Sequence, residues 1–287
     1  MIKNYKVRQL NSESTAELAV EAMLAEAVTW PKPGLVDPVS NAGHADMNIY
    51  TFINSSVTMM PYFKECWKLG FEFQGQSLVE LFHKLRPIGM IAEKRMFSAT
   101  KGVNTHKGIV FILGIMVAAL GYVNKNSLGT LKDLIDVEKA MTTGLVKNDL
   151  GNLSGTELTA GQKQFQKFGL TGIRGQTEAG FPIVLEASFP IYKASKLSEN
   201  DKNLLALLVI VTKNYDSNLI KRAHNNEKLV SEIKANAQAI VDEYQKTNSL
   251  NRKQLDKLCM QCAKHNLSLG GSADLLILTI FLNKITD

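Results

Sequence analysis

The segment Gly102-Val103-Asn104-Thr105-His106-Lys107-Gly108 places an amide, a hydroxyl, an imidazole and an ammonium on four consecutive side chains. From Ile109 to Val123 no charged residue follows. Polar groups at the mouth of an apolar helix suit a ligand site. The unpaired amides of a first turn and the positive end of the dipole can hold phosphate oxygens beside Lys107. Asn104 and Thr105 are also ordinary capping residues, so the weight of this segment depends on others like it.

Three others occur. Pro31-Lys32-Pro33-Gly34-Leu35-Val36-Asp37 is followed by Gly43-His44-Ala45-Asp46-Met47-Asn48, with the prolines and glycine fixing the loop path. Asp37, His44 and Asp46 offer donors for Mg²⁺, with substrate phosphates and waters filling the shell; Asp46 is equally suited to cap the next helix, and His44 to a solvated loop. Gly169-x-x-Gly172-x-x-Gly175 carries Arg174, a phosphate fork, after Ser154-Gly155-Thr156-Glu157 and before Ala179-Gly180-Phe181-Pro182. Ser268-Leu269-Gly270-Gly271-Ser272-Ala273-Asp274 leads into an apolar helix. Ser268, Ser272 and the glycine amides form a candidate anion cradle, with Ser272 the expected N-cap and Asp274 either a metal ligand or a first-turn acid favoured by the dipole. Glu93, in Arg86–Met96, is a candidate partner of His106 or a metal ligand, or simply one half of a surface ion pair worth about 0–1 kcal/mol. Asp216, Asn218 and Arg222 form a weaker cluster. No P-loop or Rossmann fingerprint is present.

The elements that must position these segments read as helices. Apolar residues recur at helical spacing, and neither period-two runs nor βα alternation is evident. The expectation is an all-α protein, residues 1–287 forming one large helical domain whose polar, Gly-containing loops converge on one site. Ser14-x-x-Glu17 predicts a capping box for the first helix, which Trp30-Pro31 ends. A second helix is expected from about Asp46 to Leu69 with Gly70 as its C′ stop, and a third over 77–101 with Pro87 kinking or breaking it. Further helices are expected near 128–147, 155–168, 176–195, 199–213, 226–246, 250–265 and 272–285.

Composition sets outer limits. The chain has 287 residues, 45% of them hydrophobic, enough for a substantial core, and a net charge of +6. Its Lys and Arg residues are dispersed, against a nucleic-acid partner. The Ile109–Val123 run is shorter than the roughly 18–20 residues of a membrane span, so no membrane partner is expected. Three cysteines suit a reducing, cytoplasmic location, and Cys259-x-x-Cys262 reads as two ordinary helix cysteines.

In this order, the segments resemble the triphosphoribosyl-dephospho-CoA synthase family, which makes the precursor of the citrate lyase prosthetic group and has a close relative serving malonate decarboxylase. The resemblance touches Pro31–Asp37, Gly43–Met47, Arg86–Met96, Gly102–Gly108, Gly169–Pro182 and Ser268–Leu276. It departs at Pro38 and Leu269, where the family usually has Arg and Pro, at Gln176, where Glu is frequent, and at Arg222-Ala223-His224, where Arg-Gly-Gly is common.

The resemblance implies a pentosyltransferase: ATP gives its 5-triphosphoribosyl group to the 2′-hydroxyl of 3′-dephospho-CoA and adenine is released. It implies Mg²⁺ with the ATP, and a product passed to the enzyme that loads the citrate lyase acyl carrier subunit. A homodimer is compatible with this reading. An oxocarbenium-like transition state calls for a carboxylate near the sugar and for proton transfer at both oxygen and base. On that basis His106, Asp37, Glu93 and His44 are the catalytic candidates. Lys32, Asn104, Thr105, Lys107, Arg174, Ser268, Gly270, Gly271 and Ser272 are the nucleotide-binding candidates, and Asp37, Asp46 and Asp274 the metal candidates. The rivals are a metal-dependent helical phosphohydrolase built on His44-x-Asp46 and Asn104-x-His106, and a basic helical scaffold with no catalytic role.

Overall fold

The uncharged run becomes a helix, Lys107–Lys125, that other helices surround on all sides. The computed structural model describes residues 5–151, 158 and 160–287. In chain order its helices are α1 (Ser12–Val28), α2 (Ile49–Thr58), α3 (Met60–Glu72), α4 (Leu78–Ala99), α5 (Lys107–Lys125), α6 (Leu131–Met141), α7 (Ala160–Phe168), α8 (Gly172–Glu178), α9 (Phe189–Ala194), α10 (Glu199–Lys213), α11 (Ser217–Arg222), α12 (Glu227–Thr247), α13 (Arg252–Lys264) and α14 (Gly270–Ile285). Two π-helical turns, Lys147–Gly151 and Val184–Ser188, complete the order. Among the described residues there is no strand, only two isolated bridges that tie Lys6 and Val7 to Thr130 and Thr286. The all-α expectation holds.

The core runs as one continuous apolar cluster from Val7 to Ile285. α5 packs on α3, α4, α6 and α14; α10 packs on α12, α14 and α9; α1 lies across α14 and α3. α5 is the one helix among the described residues long and apolar enough to cross a membrane, and its side chains face these neighbours. α3 and α5 approach closely because glycines face backbone. A Cβ on Gly70 would lie 1.9 Å from the Ala118 carbonyl oxygen, and one on Gly121 2.1 Å from that of Trp67. Gly70 is therefore inside α3, not its stop.

Other expected boundaries shift for local reasons. Asn11, not Ser14, caps α1 by accepting from the Ser14 amide. Asn48, not Asp46, caps α2 in a capping box with Thr51, and Met59 joins α2 to α3, splitting the helix expected over 46–69. α4 runs through Pro87 without ending. The stretch expected as one helix over 176–195 is α8, a π turn and α9. α14 begins at Gly270, so Ser272 lies in its first turn and is not its N-cap. Ser154-Gly155-Thr156-Glu157 lies outside the described residues.

Capping separates the long helices into two kinds. Asn11, Ser77, Ser198 and Asn226 cap α1, α4, α10 and α12 with their own side chains. α5 and α14 begin at His106 and Leu269, which supply no such bond.

The α3–α5 contact yields a test in which two effects oppose each other. Gly121→Ala gains helix propensity of about 1 kcal/mol. It also drives a methyl group into the Trp67 carbonyl. Overpacking of this kind costs about 1–3 kcal/mol or more. Urea unfolding should show net destabilisation; an unchanged or raised midpoint would mean the helices are not held this closely.

Candidate active site

α5 and α14 open into the same cavity of about 370 Å³; their N-cap residues supply no side-chain bond, and one first-turn amide of each is held from elsewhere, Lys107 by Asn104 Oδ1 at 3.3 Å and Ser272 by Asp216. Lys107 and Gly108 come from the first turn of α5, Gly270 and Ala273 from that of α14, and Asp274 from just beyond it, so it is not the first-turn acid the sequence allowed. Ser268 precedes α14 in the wall, Asn104 and Thr105 precede α5, and the loop after α1 adds Lys32, His44 and Asp46. Three of the four segments thus meet, the Gly169–Gly175 segment being absent from this wall, and the positive ends of two helix dipoles converge. α14 can seat against α5 because position 108 is glycine: a Cβ there would lie 2.0 Å from Asp274 Oδ2.

At the wall of the cavity lies a buried ion pair. Lys32 Nζ donates to Glu26 Oε1 at 2.5 Å and to the Glu26 carbonyl at 2.7 Å. The pair is almost sealed from solvent, with side-chain exposures of 1% and 3%. Glu26 carries no signal in the sequence, since it occupies an ordinary helical position near the end of α1.

His106 is buried beside this pair. Thr105 Oγ1 donates to Ser55 Oγ at 2.7 Å, and Ser55 Oγ lies 2.7 Å from His106 Nδ1. With Ser55 already accepting from Thr105, its own proton is left for Nδ1. A Ser55 hydroxyl that donates to Nδ1 puts the ring proton on Nε2, and Nε2 has no partner among the described residues. Burial, reinforced by the Lys32 ammonium, lowers the imidazole to about 3. Glu93, expected as its partner, instead pairs with Lys107 at 3.1 Å.

Asp274 differs in character. Burial first, then the Asp216 and Glu26 carboxylates, push its carboxyl well above the ordinary range. No hydrogen bond to its oxygens is present among the described residues. Asp216 braces the start of α14 from behind: its Oδ2 accepts from the Ser272 amide at 2.7 Å and from Ser272 Oγ at 2.8 Å. Asn218 and Arg222 line the cavity, a larger part than their sequence signal suggested. Arg222 donates to His44 Nδ1 at 3.1 Å and to Asn266 Oδ1 at 2.8 Å. An arginine only donates, so His44 is neutral there. Burial and then the Arg222 charge lower its pKa, against the pull of Asp46.

Several expected site residues lie elsewhere. Asp37 is buried but does not line the cavity. Its Oδ1 accepts from the Val39 and Ser40 amides at 2.9 and 2.7 Å, and its Oδ2 from the Lys32 amide at 3.2 Å. Its negative charge organises the loop that delivers Lys32, leaving it badly placed for a metal or for the sugar. Gly271 and Ser272 sit behind the wall, against Asp216. Arg174 and Glu93 line a second cavity. The three proposed metal carboxylates therefore do not converge, and among the described residues no group of three His, Cys, Asp or Glu side chains is placed to hold a metal. All three cysteines are free thiols, with Cys259 and Cys262 on α13.

The buried imidazole gives a pH test. An unfolded histidine titrates near 6.5, whereas His106 resists protonation until about 3. As pH falls between those values the unfolded chain takes up a proton that the folded chain refuses, so stability is lost. The loss approaches about 1.4 kcal/mol per pH unit for one such proton. Urea unfolding of wild type and His106→Gln from pH 6 to pH 4 should show the wild type weakening faster by about that slope. Parallel pH profiles would contradict a buried neutral His106.

Comparison with known proteins follows the same line. Residues 12–287 match the family model for ATP:dephospho-CoA triphosphoribosyl transferase. The chain is 41% identical over 272 residues to a probable 2-(5''-triphosphoribosyl)-3'-dephosphocoenzyme-A synthase of Lactiplantibacillus plantarum, covering 94% of this chain and 96% of that one. It is 36% identical over 294 residues to the 2-(5''-triphosphoribosyl)-3'-dephosphocoenzyme-A synthase of Haemophilus ducreyi, covering 94% and 88%. Against Protein CitXG of Leuconostoc mesenteroides it is 42% identical over 283 residues; 97% of this chain is matched, but it spans only 60% of the length of that relative. No solved structure matches. The helical chain that brings the starts of α5 and α14 to one cavity lined by cations and carboxylates belongs to the ATP:dephospho-CoA triphosphoribosyl transferase family.

Proposed function

We propose that the cavity at the starts of α5 and α14 is where the 5-triphosphoribosyl group of ATP passes to the 2′-hydroxyl of 3′-dephospho-CoA. The observation that carries this reading is the convergence of two helix starts, whose N-cap residues make no side-chain bond, with cations and carboxylates in one cavity. The amides of Gly108 and Gly270, with Lys107 and Arg222, are the groups suited to a triphosphate. Glu26 and Asp274 supply negative charge for a sugar that becomes cationic.

In the reaction the C1′–N9 bond of ATP breaks and a C1′–O bond to the acceptor hydroxyl forms. The leaving adenine gains a proton and the hydroxyl loses one. Burial and the neighbouring carboxylates raise the proton affinity of Asp274, which makes its ionised form the stronger base, and Asp274 is the group that takes the hydroxyl proton. His106 is a poor base in its buried, neutral state. As the Nε2–H tautomer it donates a hydrogen bond to the departing base, while Ser55 and Thr105 hold its ring. Asp37 acts at one remove, by shaping the loop that presents Lys32.

The donors fit a Mg²⁺ brought in on the triphosphate, with Asp46 and Asp274 as the side chains in reach of it; they do not form a cage of their own. When bound, the ion neutralises phosphate charge. The downstream enzyme loading the citrate lyase carrier subunit, a cytoplasmic setting and a homodimer remain with the sequence expectations and complete the proposal.

The direct assay incubates the protein with ATP, dephospho-CoA and Mg²⁺ and follows free adenine together with a product of the summed mass less adenine. Both should form in equal amounts, and neither without the acceptor. Asp274→Asn should lower kcat by about 10²–10⁴-fold, the usual weight of a proton-transfer group. Release of phosphate or pyrophosphate without adenine would instead support the phosphohydrolase reading.

A further inference from the structure

A second cavity, of about 210 Å³, lies on the other side of the first turn of α5. Lys107 and Gly108 face the first cavity, while Val110 and Phe111 face the second. The Lys107–Glu93 ion pair, 3.1 Å long, joins the two, since Glu93 lines the second cavity.

Its chemistry is that of a nucleotide diphosphate with an apolar extension. Arg86 and Arg174 converge on one carboxylate, Asp149, through Nη2 at 2.5 Å and Nε at 2.9 Å. The two guanidiniums face two carboxylates, Asp149 and Glu93, and because Glu93 is itself paired with Lys107 the group as a whole keeps one net positive charge. Each uses one N–H on Asp149, and the remaining donors of each fork make no hydrogen bond among the described residues. The arginines lie over aromatic rings, Arg86 at 4.7 Å from the Phe82 centroid and Arg174 at 5.8 Å from that of Phe111. Such stacking fixes the planes of the forks. Met90 carries the apolar wall out to the surface, where it is 63% exposed.

We infer that this second cavity binds the acceptor substrate, with Arg86 and Arg174 gripping its diphosphate and Phe82 and Met90 lining the path of its pantetheine arm. The inference rests on the transfer reading above and assigns the two substrates to different cavities. The adenosine ribose of the acceptor then lies across the Lys107–Glu93 divide, with its 2′-hydroxyl toward Asp274. A cleft that separates the two nucleotides also prevents ATP, which has a 2′-hydroxyl of its own, from readily serving as acceptor.

The bland alternative is a strut: Asp149 pins α4 to α8 and the arginines serve only stability. Steady-state kinetics on Arg174→Gln and Arg86→Gln separate the two. The acceptor reading predicts that KM for dephospho-CoA rises tenfold or more while KM for ATP stays within about twofold. Gly89→Leu gives an independent probe that alters no charge. A Cβ at Gly89 has only ordinary contacts, 3.6 Å from Tyr62 Oη and 3.8 Å from Val110 Cγ1. A larger side chain there fills the cavity from within α4, and it should also raise KM for dephospho-CoA selectively. Unchanged acceptor KM in all three variants, with or without a lower Tm, overturns the assignment, as does a selective rise in KM for ATP. Wild-type protein that releases no adenine at all would sink the transfer reading itself, a distinct result.

Discussion

An ammonium and a carboxylate lose most of their hydration when buried together, and they survive there only by satisfying one another. Lys32 and Glu26 do this at the edge of the site, and the electrostatics around them follow. The Lys32 charge adds to the burial that keeps His106 neutral. The Glu26 charge adds to the burial that raises Asp274. A single contact between the end of α1 and the proline loop thus reinforces, in opposite senses, the shifts that burial imposes on two titratable groups. Removing either partner would leave a lone buried charge, at a cost of about 3–5 kcal/mol.

The rest of the fold holds this pair where two helices begin. α3 meets α5 backbone to backbone through Gly70 and Gly121, which fixes where α5 lies. α14 reaches the same place because Gly108 leaves room for Asp274 and because Asp216 supports the Ser272 amide. Asn11, Ser77, Ser198 and Asn226 cap the starts of α1, α4, α10 and α12, whereas the N-cap residues of α5 and α14 make no such bond and the Gly108 and Gly270 amides lie at the cavity. The structural logic is that of anion recognition by helix starts, used twice in one cavity.

Much of this was legible in the chain. Helical periodicity gave the class, and the polar segments around Lys32, His44, Asn104–Lys107 and Ser268–Asp274 do meet, because each joins a helix to the loop before it. What the sequence hid has physical causes. A glycine that stops a helix and one that admits a neighbouring backbone look alike, so Gly70 was misplaced. A carboxylate that accepts amides from its own loop looks like a metal ligand, as Asp37 did. Glu26 and Ser55 carry no local signal, since their partners come from distant segments. Arg174 reads as a phosphate fork at any location; only the fold puts it with Arg86, on the far side of α5 from His106.

A structure determined with ATP and Mg²⁺, without the acceptor, tests the central claim most directly. The account predicts phosphate oxygens within hydrogen-bond distance of the Gly108 and Gly270 amides and of Lys107, and C1′ of the sugar facing Asp274 and His106. A triphosphate seated on Arg86 and Arg174, or outside both cavities, would contradict it.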